Sequence, residues 1–127
     1  MGNKLRILIA DDTNVVLRRI SRRVSEIDRV HVVGLAKDTL EGISLFDSLK
    51  PDAVLLDIQM PGGGGLDVLR HIKRNRPRVT VLMMTSSPQP HYRAASVRDG
   101  ADFFFDKAND LKGILTVISD LAQGLDN

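Results

Sequence analysis

The sequence predicts an α/β domain in which a five-stranded parallel sheet carries helices on both faces. Two observations support this. Five apolar runs of strand length alternate with five stretches of helical period. Runs such as Leu5–Ala10 and Ala53–Leu56 are also apolar nearly throughout, as strands buried on both faces must be. Leu5–Ala10 is the first strand, and Val16, Ile20, Val24 and Ile27 recur at helical spacing from Thr13 to Ile27. Val30–Leu35 is β-rich and precedes a helix from Asp38 or Thr39 to Leu49, in which Leu40, Ile43 and Phe46 recur every third residue until Pro51 ends the pattern. Ala53–Asp57 is the third strand. The glycine tract Gly62–Gly65 follows, then a helix carrying Leu66, Leu69 and Ile72 that stops before Pro77. Val79–Met84 is the fourth strand, Pro88 and Pro90 mark a loop, and His91–Asp99 is a short helix. Asp102–Phe105 is the fifth strand, and Leu111, Ile114, Leu115, Ile118 and Leu121 form the stripe of a last helix.

At 127 residues the chain suits a single domain over 1–127. A domain of this size needs no disulfide or structural metal to fold, and it has no cysteine. With 43% hydrophobic and 27% charged residues it has globular composition. Its formal charge of +2 is too small to make nucleic acid the default partner. No apolar run reaches the roughly 18 residues of a membrane span. The first residues lack a secretory apolar stretch, and Arg6 stands where a myristoylation signal needs Ser or Thr, so the expected location is the cytoplasm.

Open α/β sheets bind ligands outside the carboxyl ends of their strands. Asp11 and Asp12 follow the first strand, Asp57 ends the third, Thr85 and Ser86 follow the fourth, and Lys107 follows the fifth. Two carboxylates about 4 Å apart repel by roughly 4 kcal/mol at an effective dielectric near 20, so convergence of the three aspartates calls for a cation. An all-oxygen set favours a hard ion such as Mg²⁺, and Lys107 adds a fixed positive charge. Both suit the oxygens of a transferring phosphoryl group, for which an aspartate can be the nucleophile.

Four ordered motifs, Ile9–Asp12, Leu56–Gly62 followed by Gly65 and Leu66, Met84–Ser86, and Gly100–Asp102 leading to Lys107, make the chain resemble the receiver domain of two-component response regulators. The likeness covers essentially the whole chain. It is closest in kind to stand-alone, chemotaxis-regulator-like receivers, within a subset that lacks the usual proline after the lysine. The resemblance implies a flavodoxin-like (βα)5 fold with strand order 2-1-3-4-5. It implies that Asp57 is the phosphoacceptor and that Asp12 contacts Mg²⁺ directly, with Asp11 supporting it and the main-chain carbonyl of Gln59 completing the ligands. It further implies that Lys107 pairs with Asp57, that Thr85 is the switch hydroxyl beside the small Ser86, and that Phe104 is the switch aromatic. The implied partners are a histidine kinase or histidine phosphotransfer protein, which donates the phosphoryl group, and an output protein or output domain. Output, or a homodimer, would use the fourth helix, fifth strand and fifth helix. The chain would then be a switch that assists its own phosphorylation and dephosphorylation rather than an enzyme.

The departures are specific. Ala108 replaces the usual proline, so a trans bond and a less rigid lysine loop are expected. Gly63 and Gly64 suggest a mobile loop. Other readings weigh less. Asp12 or Thr13 could merely cap the first helix, but capping does not account for Asp57. An aspartyl-phosphate hydrolase of the haloacid dehalogenase type needs a second Asp two positions after its nucleophile, where Gln59 stands. A phosphorylation-independent scaffold has no need of the full acidic and lysine set. The glycine run lacks the Lys-Ser or Lys-Thr of a P-loop, and His31, His71 and His91 show no metal-ligand spacing. Arg18, Arg19, Arg22 and Arg23 form two basic rows on the first helix, a solvated face or a docking surface.

Overall fold

The computed structural model describes residues 3–126. Five strands, β1 (Leu5–Ala10), β2 (Val30–Ala36), β3 (Ala53–Asp57), β4 (Thr80–Thr85) and β5 (Phe103–Asp106), alternate with α1 (Asn14–Ser25), α2 (Thr39–Leu49), α3 (Gly65–Asn75), α4 (Pro90–Arg98) and α5 (Leu111–Gln123). All pairings are parallel, in the order β2-β1-β3-β4-β5. This is the flavodoxin-like arrangement, with its order reversal between β1 and β3.

Strand alternation divides the core in two. Ile7, Ile9, Leu55, Leu82 and Met84 point to α1 and α5, where Leu17, Ile20, Ile114 and Ile118 meet them. Leu8, Val54, Leu56, Val81 and Met83 point to the other face and pack with Phe46, Val68, Leu69 and Ile72. The central strands are apolar throughout because each side chain has a core to enter. β2, at one edge, differs: His31 and Leu35 are exposed. Its pairing with β1 also slips, so that Ile7 pairs with Val32 and Leu8 with Gly34, leaving Val33 between the two registers.

Several boundaries depart from expectation for local reasons. α1 stops at Ser25, two residues early, and the Glu26 and Ile27 N–H groups close tight turns onto Arg23 and Val24. α4 starts at Pro90, whose missing N–H costs nothing at a helix start. β5 starts one residue late because Asp102 caps the sheet. Its Oδ2 accepts the Val81 N–H at 2.8 Å and the Lys73 ammonium at 2.9 Å, while its own N–H donates to the Val81 carbonyl. A short 3₁₀ turn, Gly124–Asp126, follows α5. Among the described residues no helix is long and apolar enough to cross a membrane.

Candidate functional site

The sheet order sets the carboxyl ends of β1 and β3 side by side, and main-chain bonds fix the loops leaving them. The Asp11 N–H donates to the Ala36 carbonyl, the Ile58 N–H to Met84, and the Lys107 N–H to Thr85. Asp11 and Asp57 are consequently buried side by side, at 0% and 2% exposure, while Asp12 lies open to solvent. One carboxylate oxygen from each of the three lies within 4.8 Å of the others. The Lys107 ammonium bridges the buried pair, 2.8 Å from Asp11 Oδ2 and 3.3 Å from Asp57 Oδ2. The other oxygens are also engaged: Asp11 Oδ1 accepts the Thr13 N–H at 2.9 Å and Asp57 Oδ1 the Gln59 N–H at 3.3 Å.

Burial pushes the Asp57 carboxyl up to about 6, with the Asp11 charge adding to the rise and Lys107 and the Gln59 N–H opposing it. Burial also disfavours the Lys107 ammonium, but the hydrogen bond to Asp11 and the charges of Asp57 and Asp11 outweigh it and raise that group above its ordinary value. Three carboxylates against one ammonium leave excess negative charge at an all-oxygen site, a donor set that fits Mg²⁺. Helix capping does not explain Asp12. Thr13 is the N-cap of α1 and makes no side-chain capping bond, and among the described residues the Asp12 carboxylate accepts a hydrogen bond from the Thr13 hydroxyl alone, at 3.5 Å.

The remaining predicted residues lie around this cluster. Thr85 is fully buried at the end of β4, and its hydroxyl both accepts the Ser87 N–H and donates to the Ser87 carbonyl. Ser86 is exposed and shares a cleft of about 300 Å³ with Lys107, Ala108, Val16 and Leu111. Phe104 is outside the acid cluster, half-buried on the α4 side beneath the Arg93 guanidinium, 4.6 Å from its ring centre. Phe103 and Phe105 stack with each other at 6.2 Å.

Two loops are tied more closely than expected. The Lys107–Ala108 bond is trans, and the N–H that a proline would lack is used: Ala108 donates it to Asp106 Oδ1 at 3.0 Å, while the Asn109 amide donates to Asp106 Oδ2 at 2.9 Å. The Asn109 amide, joined by the Ala108 and Asn109 backbone, holds the Asp106 carboxyl below its usual range. The glycine tract is likewise tethered. The Thr39 hydroxyl accepts the Gly64 N–H and donates to the Gly64 carbonyl, and the Thr39 N–H donates to the Pro61 carbonyl. A Cβ at Gly65 would lie 2.1 Å from the Asp57 carbonyl oxygen, so α3 can start against the acid site only with glycine there. Sequence reasoning also missed Tyr92, whose hydroxyl accepts from Gln59 Nε2 at 3.2 Å; no periodicity or spacing signals such a contact.

Residues 7–119 match the family model described as the response regulator receiver domain. The chain belongs to the response-regulator receiver family. This receiver is 32% identical over 114 residues to the response regulator GacA of Pseudomonas viridiflava, covering 90% of this chain and 53% of that protein. It is 30% identical over 125 residues, 97% of this chain and 36% of the relative, to protein-glutamate methylesterase/protein-glutamine glutaminase 1 of Methanospirillum hungatei. Among solved structures, the signal receiver domain of the response regulator NarL from Mycobacterium tuberculosis superposes with a TM-score of 0.87 at 28% identity, covering 96% of this chain and 98% of that one. The receiver spans about half the length, or less, of these curated relatives.

Proposed function

We propose that the chain is a phosphorylation-controlled switch, a single receiver unit over residues 1–127, in which Asp57 accepts a phosphoryl group from a histidine kinase or histidine phosphotransfer protein in the cytoplasm. The observation that carries this reading is the convergence of Asp11, Asp12 and Asp57 within 4.8 Å, with Lys107 bridging the buried pair. In the transfer, an Asp57 carboxylate oxygen forms a bond to phosphorus, the nitrogen–phosphorus bond of the donor breaks, and the freed imidazole nitrogen takes a proton. Asp11, Asp12, Asp57 and the Gln59 carbonyl would hold Mg²⁺, which when bound neutralises the charge gathered on the phosphoryl oxygens. Lys107, already in the site, can pass from Asp57 Oδ2 to a phosphoryl oxygen with its hydrogen bond to Asp11 retained.

Thr85 must exchange its bonds to Ser87 for a phosphoryl oxygen, and this differential contact is what shifts a two-state equilibrium. Phe104 then moves with it, against Arg93. Output to a partner protein or output domain uses α4, β5 and α5, where Val97 and Phe103 are already exposed. A second copy of the chain could use the same face. The chain acts as a phosphoacceptor that assists its own turnover, not as an enzyme on another substrate. Intact mass after incubation with acetyl phosphate and Mg²⁺ tests the reading. One added phosphoryl group, absent from Asp57→Asn and from a chelated control, is expected; no adduct together with no Mg²⁺ binding would overturn it in favour of a phosphorylation-independent scaffold.

A further inference from the structure

One residue joins the acid cluster to α4. Gln59 donates its main-chain N–H to Asp57 Oδ1 at 3.3 Å and its side-chain Nε2 to the Tyr92 hydroxyl at 3.2 Å. Lys107 holds the other Asp57 oxygen, so Gln59 and Lys107 together set the plane of the carboxylate, one on each oxygen. The next residue of α4, Arg93, covers Phe104. Adjacent side chains in the first turn of α4 therefore touch the acid loop and the ring of β5. Ser96 is the one fully buried side chain of the helix, and the half-buried Tyr92 ring packs against the core beneath it. The Thr85 hydroxyl is engaged with Ser87 and lies on neither bond of the Gln59 connection.

We propose that Gln59 is a positioning residue that couples Asp57 to α4 through the Tyr92 hydroxyl, along a path separate from Thr85 and Phe104. The direction from phosphoryl group to helix rests on the phosphoacceptor reading of Asp57; the coupling itself does not. A change on the Asp57 carboxylate moves the Gln59 backbone, and the Gln59 amide then draws on or releases Tyr92. Coupling is reciprocal, so a partner that displaces Tyr92 also alters the reactivity of Asp57.

The chain contains one tyrosine and no tryptophan, so its tyrosine emission reports Tyr92 alone, and the Gln59→Leu variant separates the Gln59 contact from that of the His91 ring 4.2 Å away. Emission and intact mass are followed on the same samples after acetyl phosphate and Mg²⁺ are added. Emission should change with the half-time of adduct formation, and Gln59→Leu should still form adduct while losing most of the amplitude. Gln59→Leu and Tyr92→Phe should each change the rate of adduct formation about two- to fivefold, and the double variant no more than the larger single change. Adduct without an emission change, an intact amplitude in Gln59→Leu, or multiplying rate effects in the double variant would overturn the proposal. If the wild type forms no adduct, the phosphoacceptor reading fails instead. The coupling is then read from the ¹³Cζ shift of labelled Tyr92: it must differ between wild type and Asp57→Asn, and that difference must vanish in the Gln59→Leu background. Equal shifts, or a difference that survives, overturn it.

Discussion

Helices α3 and α4 succeed one another along the chain but are held in opposite ways. α3 buries Gly65, Val68, Leu69 and Ile72, and its first N–H donates to the Ile58 carbonyl at 2.7 Å, directly behind the acid site. α4 buries only Ser96, whose hydroxyl turns back to the Tyr92 carbonyl of its own helix, and leaves Val97 at 67% exposure. Its attachments to the rest of the fold include the Arg70–Asp99 ion pair at 2.9 Å, the Gln59–Tyr92 hydrogen bond and the Arg93–Phe104 stack. Arg98 and then Arg70 hold the Asp99 carboxyl below its usual range. Apolar burial is lost outright when a helix leaves its seat, whereas water replaces most of a surface polar contact. One helix is thus a wall for the carboxylates, and the other is the less firmly seated of the two.

The contrast should be largest in core truncation. Ile72→Ala is expected to cost about 2 to 5 kcal/mol in urea denaturation, and a cost below 1 would mean that α3 is not the wall described. The site in front of that wall also bears a charge it does not fully compensate. Unfolded Asp57 titrates near 3.8 and folded Asp57 near 6, so between those values the folded state holds the extra proton. Stability therefore falls as pH rises through that window, and the deficit is complete above it. Without divalent cation, Asp57→Asn should stabilise the domain by up to about 3 kcal/mol above pH 7 or so, with no gain below about pH 4. A gain that is constant across pH would locate the effect elsewhere. Arg70→Ala, which removes the ion pair to Asp99 and the one to Asp67 within α3 at a half-exposed site, should lower stability by about 0.5 to 1 kcal/mol. It should also speed amide exchange in α4 more than in α3. Val97→Ala should change stability by less than about 0.5 kcal/mol, and a larger loss would show that α4 is packed after all.

Most of the framework was legible because double-faced strands and amphipathic helices leave periodic marks. Leu5–Ala10 and Ala53–Asp57 emerge with the ends read from the sequence, and the strand-end rule brought Asp11, Asp57 and Lys107 to one place. Besides the helix ends, three departures lie where a side chain bonds the main chain. Asp102 reads as the start of a strand but satisfies the Val81 N–H. Gly62–Gly65 reads as slack, yet Thr39, 25 positions from Gly64, clasps it. Ala108 reads as the loss of a proline, yet its N–H goes to Asp106. Pairs such as Gln59 with Tyr92, 33 positions apart, have no period to betray them.

The slip at Val33 has a consequence for the company the domain keeps. β2 forms one border of the sheet, and a border strand presents main-chain donors and acceptors to any extended chain that approaches. Because its pairing register changes between Val32 and Gly34, that border is broken into two stretches of three paired residues. A bulge of this kind bends and twists the strand locally, so a foreign strand follows it less readily in continuous register. The irregularity therefore discourages open-ended addition of strands at this border.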